Sequence, residues 1–148
     1  MGSIMNVVQE INPIYVVASA AAQQMLAMVW FDCIVRQIDN YYVAADKGVR
    51  RVEHAIQRYP AAMISAATFA CSVLRTVLVL ALVSVFHCST LSQYQSAAMI
   101  AVLIGMTRIH RTFSCHRPIQ IFVTETGYEM AAAMTAAVVS FYMKKYNF

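Results

Sequence analysis

Apolar residues run almost unbroken through residues 13–35, 60–86, 93–113 and 118–143, and polar residues collect in the gaps between these runs. Each run meets or exceeds the roughly 20 residues that a helix needs, at about 1.5 Å rise per residue, to cross a hydrocarbon core. The pattern predicts an all-α fold, an integral membrane bundle of four transmembrane helices forming a single domain over residues 1–148. Pro13, Pro60 and Pro118 mark the starts of the first, second and fourth runs, where a missing N–H costs nothing, and Asn12 is placed to cap the first. The third run ends less cleanly, with Arg108, His110 and Arg111 crowded together.

Composition points to a bilayer as the solvent. Of the 148 residues, 60% are apolar and 12% charged, against roughly 45–50% and about 25% in soluble domains. No Lys or Arg precedes Arg36. Neither the positive start of a cleaved signal peptide nor an Arg-rich transit peptide is therefore expected, and the first run reads as a retained span. Cys33, Cys71, Cys88 and Cys115 are scattered without a CxxC pair, which argues against a disulfide framework or zinc site and for small core-filling residues.

An even number of spans puts both termini on one side, here called side A. The loop 36–59 and the turn around Cys115 then lie on side B with Arg36, Lys47, Arg50, Arg51, Arg58, Arg111 and Arg117, while side A keeps Lys144 and Lys145. Side B is expected to face the cytoplasm or the mitochondrial matrix. The net charge of +4 thus reads as topology, with no call for a nucleic-acid partner. Within NYYVAADKGVRRVEHAIQRY, Val49, Val52, Ile56 and Tyr59 recur at helical spacing, so a short amphipathic helix is expected to lie in the side B interface. Its Lys47, Arg50, Arg51 and Arg58 are candidates for contact with anionic, cardiolipin-like phospholipid; a solvated connector is the alternative. Trp30, Phe31, Tyr41 and Tyr42 toward side B, and Tyr142 and Tyr146 toward side A, are expected as interfacial anchors.

Ala18 and Ala22, Ala62 and Ala66, Gly127 and Ala131, and Ala132 and Ala136 form small-xxx-small pairs, a surface that lets helices approach closely in lipid. Charges also enter the runs. Counting from side B places Arg75 at a depth of roughly 22 Å, Glu129 at roughly 17 Å and Glu125 at about 10 Å, level with Arg108. A charge near the bilayer centre costs about 2.5 kcal/mol or more unless it is paired. The expected network is therefore Arg75 with Glu129 and Arg108 with Glu125. The two glutamates share a helix face at i and i+4. Gly127 lets a backbone come close between them, and Thr124 and Tyr128 are expected to complete the hydrogen bonding. Such acids suit either a structural latch or a proton path, and an arginine for each favours the latch.

No Gly-x-Ser-x-Gly, phosphate-loop or HExxH motif occurs, so no catalytic residue is assigned. His87 and Cys88 fall on side A and His110, Cys115 and His116 on side B, so they form no metal or cofactor set. No fixed-period repeat supports an inverted-repeat transporter. Two stretches, NPIYVVASAAAQQMLAMVWFDCIV with its Trp30-Phe31 pair and RPIQIFVTETGYEMAAAMTAAVVSF with Arg117-Pro118 and Gly127-Tyr128, resemble the small four-span membrane proteins grouped as domain of unknown function 1761. That family usually has a glycine where this chain has Ala27. The resemblance implies a single four-helix membrane domain and carries no chemistry with it.

These observations lead to the expectation of a non-catalytic accessory subunit of a multi-subunit membrane complex. The expected partners are other membrane subunits and lipid. A respiratory or ATP-synthase assembly of the mitochondrial inner membrane, with both termini on the intermembrane-space side, is the leading setting and a bacterial plasma membrane the alternative. The competing expectation is a small proton-coupled carrier or channel using Glu125 and Glu129.

Overall fold

A computed structural model describes residues 11–48, 60–107 and 109–146, without the side chains of Asp39 and Arg111, and every regular element among them is a helix. Asn12 opens α1 (Pro13–Val29): its backbone is extended, its Oδ1 accepts from Ile14 N at 3.0 Å, and Pro13 occupies the first turn. The helix then widens into one π turn, Trp30–Ile34, closed by Val35 N donating to Trp30 O at 2.9 Å. A short α2 (Arg36–Asp46) follows and stops at Gly48, whose φ of 67° is left-handed. The next long helix, α3 (Ala61–Val85), starts after an extended Pro60 that stands just outside it.

Thr90 and Gln93 build a reciprocal capping box at the start of α4 (Leu91–Met106), with Gln93 Oε1 accepting from Thr90 N at 3.1 Å. The third apolar run does not continue as one helix to residue 113. It ends at Met106 and resumes as α5 (Ile109–Ser114). Polar side chains take over the last carbonyls: Thr107 Oγ1 donates to Ile104 O and His110 Nδ1 bonds Thr107 O, both at 2.9 Å. The last helix, α6 (Ile119–Tyr146), outruns its expected end by about one turn. The turns after α3 and α5 close on residues with left-handed backbones, His87 at φ 50° and His116 at φ 52°.

Cross-helix contacts define an antiparallel, up-down arrangement with α6 at its centre. Ser19 of α1 meets Ser140 of α6 at 3.1 Å, whereas Trp30 at the other end of α1 donates to Thr124 O at 3.3 Å. Tyr94 at the start of α4 stacks edge-on against Phe141 near the end of α6, centroids 5.4 Å apart. Arg117, just before α6, reaches Asp46 at the end of α2 at 3.4 Å, so the two side B connections sit together. The core is built mostly of small residues: Val79 and Val83 of α3, Ala97, Ala98 and Ala101 of α4, and Ala133 and Ala137 of α6. Small side chains bring backbones close, and dense van der Waals contact then holds the helices together.

Two stretches, Pro13–Ile34 and Ala61–Val85, are long and apolar enough to cross a membrane. With 16 residues, α4 reaches about 24 Å, and α6 has the length, 28 residues, but carries Glu125 and Glu129. Burial also revises the packing expectations. The face that α1 buries is Val16, Ser19, Ala20, Gln23 and Ala27, so Ala18 and Ala22 lie only at its edge, and Ala62 and Ala66 are exposed. Cys33, Cys71 and Cys115 are exposed instead of filling the core; Cys88 alone packs against it.

Candidate functional site

Where α1, α3 and α6 meet, the apolar interior is interrupted by a connected set of polar side chains. Arg75 Nε and Nη2 both donate to Glu129 Oε2, the former at 3.0 Å, while Nη1 donates to Gln23 Oε1 at 2.8 Å. Gln23 is fully buried, and its Nε2 donates to Thr76 Oγ1 at 2.8 Å and to Ser19 O at 3.2 Å. The Thr76 hydroxyl donates to Ser72 O, that of Ser72 to Thr68 O and that of Thr68 to Ile64 O, each at 2.9 Å. The amide orientation of Gln23 follows from chemistry, since a guanidinium can only donate and must face the oxygen. The guanidinium carbon also lies 5.5 Å from the centre of the Tyr128 ring, a cation–π contact.

Arg75 is thus held on three sides by a carboxylate, an amide and an aromatic face. Its side chain is 11% exposed, against 48% for that of Glu129. Tyr128 plays a role other than the one expected of it. Thr124 Oγ1 turns back onto Ile121 O at 3.0 Å, and Tyr128 offers its ring to Arg75 while its hydroxyl, buried, has no hydrogen-bond partner among the described residues. Glu125 lines the cleft described below; Arg108, its expected partner, lies outside the described residues.

Trp30 and Phe31, each half-buried, pack against α6. A Cβ added at Gly127 would lie 3.0 Å from the Trp30 ring, so the indole rests on bare backbone. Phe31 packs on Tyr128 with centroids 5.1 Å apart. The two stretches that carry the family resemblance therefore dock on each other, Trp30 to Gly127 and Phe31 to Tyr128. Tyr41, Tyr142 and Tyr146 are exposed. Lys47 is exposed at the end of α2, and Arg50, Arg51 and Arg58, with the amphipathic segment that holds them, lie outside the described residues.

Beside the polar set, between α3, α4 and α6, opens a cleft of about 840 Å³. Leu74, Leu78, Ile104 and Phe122 give it apolar walls, while Arg75, Tyr128 and Glu129 give it a polar end. No group of His, Cys, Asp and Glu suited to a metal ion occurs among the described residues. Comparison with protein-family models, curated proteins and solved structures yields no match to this chain.

Sequence reasoning missed Gln23, whose side chain makes four hydrogen bonds against the two that Glu129 accepts. Its signal is Ser19 and Gln23 at i and i+4 on one helix opposite Thr68, Ser72 and Thr76 at the same spacing on another. Polar stripes inside apolar helices satisfy each other across an interface.

Proposed function

We propose that the chain is a four-span integral membrane bundle acting as a non-catalytic accessory subunit of a larger membrane assembly. The observation that carries this reading is that Nε, Nη1 and Nη2 of Arg75 are each engaged within the bundle. Its donors go to Glu129 and Gln23 and its face to Tyr128, so the membrane-embedded charge ties three helices together and offers no reactive pair. Membrane placement is supported by how little of the two apolar stretches is buried inside the fold, 28% and 22%. A soluble core helix would hide most of such a surface, whereas Met25 and Leu74, each 70% exposed, suit lipid tails or partner helices. The fully buried small residues on α6 let other helices approach it, which rationalises a polar sixth helix at the centre of a bundle.

Gentle detergent extraction of the tagged chain from its native membrane, followed by mass spectrometry, tests the role. A stoichiometric membrane-protein assembly is the expected result, with respiratory or ATP-synthase subunits in the mitochondrial setting we propose. Recovery as a clean monomer or homo-oligomer overturns it. The carrier reading is kept because one observation favours it: Glu129 is half exposed and lines a cleft. Proton flux into liposomes that Glu129→Gln abolishes decides for the carrier.

A further inference from the structure

The cleft between α3, α4 and α6 has a direction. Thr112, Cys115 and Arg117 form its mouth at the turn between α5 and α6 on side B, and Leu78, Ala101 and Ala133 form its far end. Along the way α6 presents Glu125 and Thr126 and then, one turn deeper, Glu129, so polar groups mark the whole descent to the Arg75 latch. Glu129 lies about 15 Å of helical rise from the start of α6. Both glutamates are exposed. Beyond the far end the character changes: Val79, Ala98 and Ala137 are fully buried, and Tyr94 closes on Phe141 toward side A.

In a bilayer such a cleft is filled either by lipid chains or by water. An acyl chain laid along α6 would set two carboxylates and the Arg75 guanidinium against hydrocarbon, whereas ionisable side chains within spans face a bundle interior or a water-filled cavity. Water carries no such cost, and about 840 Å³ has room for roughly 28 molecules at about 30 Å³ each. Leu74 and Ile104, exposed at the outer lip, are left to meet the lipid. We propose that the cleft is a blind aqueous vestibule, entered from side B past Cys115 and sealed from side A by the small-residue core, which brings water and small hydrophilic solutes of the side B compartment to Glu125 and Glu129. It holds whatever partner each carboxylate has, because an ion pair too is solvated better by water than by hydrocarbon.

The inference rests on membrane insertion and on neither the accessory nor the carrier role. The full chain is reconstituted in sealed phosphatidylcholine vesicles and exposed to membrane-impermeant methanethiosulfonates, one cationic and one anionic, with adducts counted per chain by intact-mass spectrometry. Cys33, Cys71 and Cys88 are replaced by alanine, so that Cys115 marks side B; Tyr146→Cys, in a chain also lacking Cys115, marks side A. Thr126→Cys and Gly105→Cys probe the vestibule, while Leu103→Cys and Val123→Cys, exposed on the same helices outside the cleft, probe the lipid face. Pairs of cysteines make the orientation of insertion irrelevant. Thr126→Cys should be modified on the same molecules as Cys115, giving none or two adducts, and on the opposite molecules from Tyr146→Cys, giving one.

The thiolate is the reacting species and apolar surroundings suppress it, so the vestibule sites should react within about tenfold of Cys115 and the lipid-facing sites at least about a hundredfold more slowly. Gly105→Cys, whose side chain starts with nothing within 4 Å, keeps the test decisive where Thr126→Cys disturbs the fold. A chain that does not float with the vesicles refutes insertion and the vestibule together. In a chain that floats with Cys115 reactive, Thr126→Cys and Gly105→Cys as slow as the lipid-facing pair would show a cleft filled by lipid. Modification of Thr126→Cys on the same molecules as Tyr146→Cys would show that the core does not seal. Either of these last two results overturns the vestibule alone and leaves insertion standing.

Discussion

Replacing Arg75 by leucine should be the most damaging single change in the bundle, and the structure supplies its components. The substitution strands the Glu129 carboxylate and leaves the Gln23 Oε1 acceptor empty in a residue with no exposed surface. An unpaired buried acceptor costs about 1–3 kcal/mol. A lone charge at mid-helix depth costs about 2.5–3.5 kcal/mol, and the 48% exposure of Glu129 puts its share at or below the low end of that range. The single variant should therefore lose about 3–5 kcal/mol. Glu129→Leu strands Arg75, which keeps Gln23 and the Tyr128 ring, so about 2–3 kcal/mol is expected.

Arg75→Leu combined with Glu129→Leu removes both charges and leaves the empty Gln23 acceptor as the main residual cost. The double variant should consequently be milder than Arg75→Leu alone, with a coupling of about 4–5 kcal/mol, the sum of the two stranded-charge costs. Unfolding the full chain in mixed micelles by titration with dodecyl sulfate, followed by far-ultraviolet circular dichroism, gives the four free energies of the cycle. If the two single losses add to within about 0.5 kcal/mol of the double, the charges are not coupled and the latch is not what holds these helices.

Other contacts yield sharper local tests. Gly127→Ala pushes a methyl to 3.0 Å from the indole of Trp30, the single tryptophan of the chain, so we expect a loss of about 1–3 kcal/mol and a shifted tryptophan emission; unchanged fluorescence would mean that the ring does not sit there. Thr90→Ala removes the side-chain acceptor of the α4 capping box, and the unfolding midpoint should fall by the equivalent of about 0.5–2 kcal/mol, while an unchanged midpoint argues against the cap. His116 holds a left-handed backbone at φ 52°, a conformation glycine adopts freely; His116→Gly should stabilise the chain by up to about 1 kcal/mol, and destabilisation would show that the imidazole itself is needed.

How much of this was legible from the sequence depended on whether a residue broke the apolar pattern. Arg75 and Glu129 meet where counting helical rise puts them, because a charge inside an apolar run has few places to find its opposite. The helix start at Asn12-Pro13 likewise follows from a side chain that satisfies an orphan N–H group, whereas the Thr90 cap, just ahead of the expected third run, went unread. The break at Met106 was foreshadowed by the polar TRIHR segment, though an apolar average over the run concealed it. What apolar periodicity could not supply was helix rotation. When interior and exterior are both apolar, hydrophobicity no longer distinguishes the faces of a helix, and alanine pairs become ambiguous guides: Ala132 and Ala136 are buried, yet Ala62 and Ala66 are exposed. Rotation is instead fixed by the polar minority. Ser19 and Gln23 turn α1 so that Ala27 and Trp30 meet α6, and Thr76 with Arg75 turns α3 toward the same seam. Each of those residues has a partner available on one face only, so a small rotation of the helix would leave a buried polar group unsatisfied, whereas the alanines around them would tolerate it. In this bundle close packing supplies adhesion and the polar contacts supply register, which is why the two kinds of residue must be read together to place the helices.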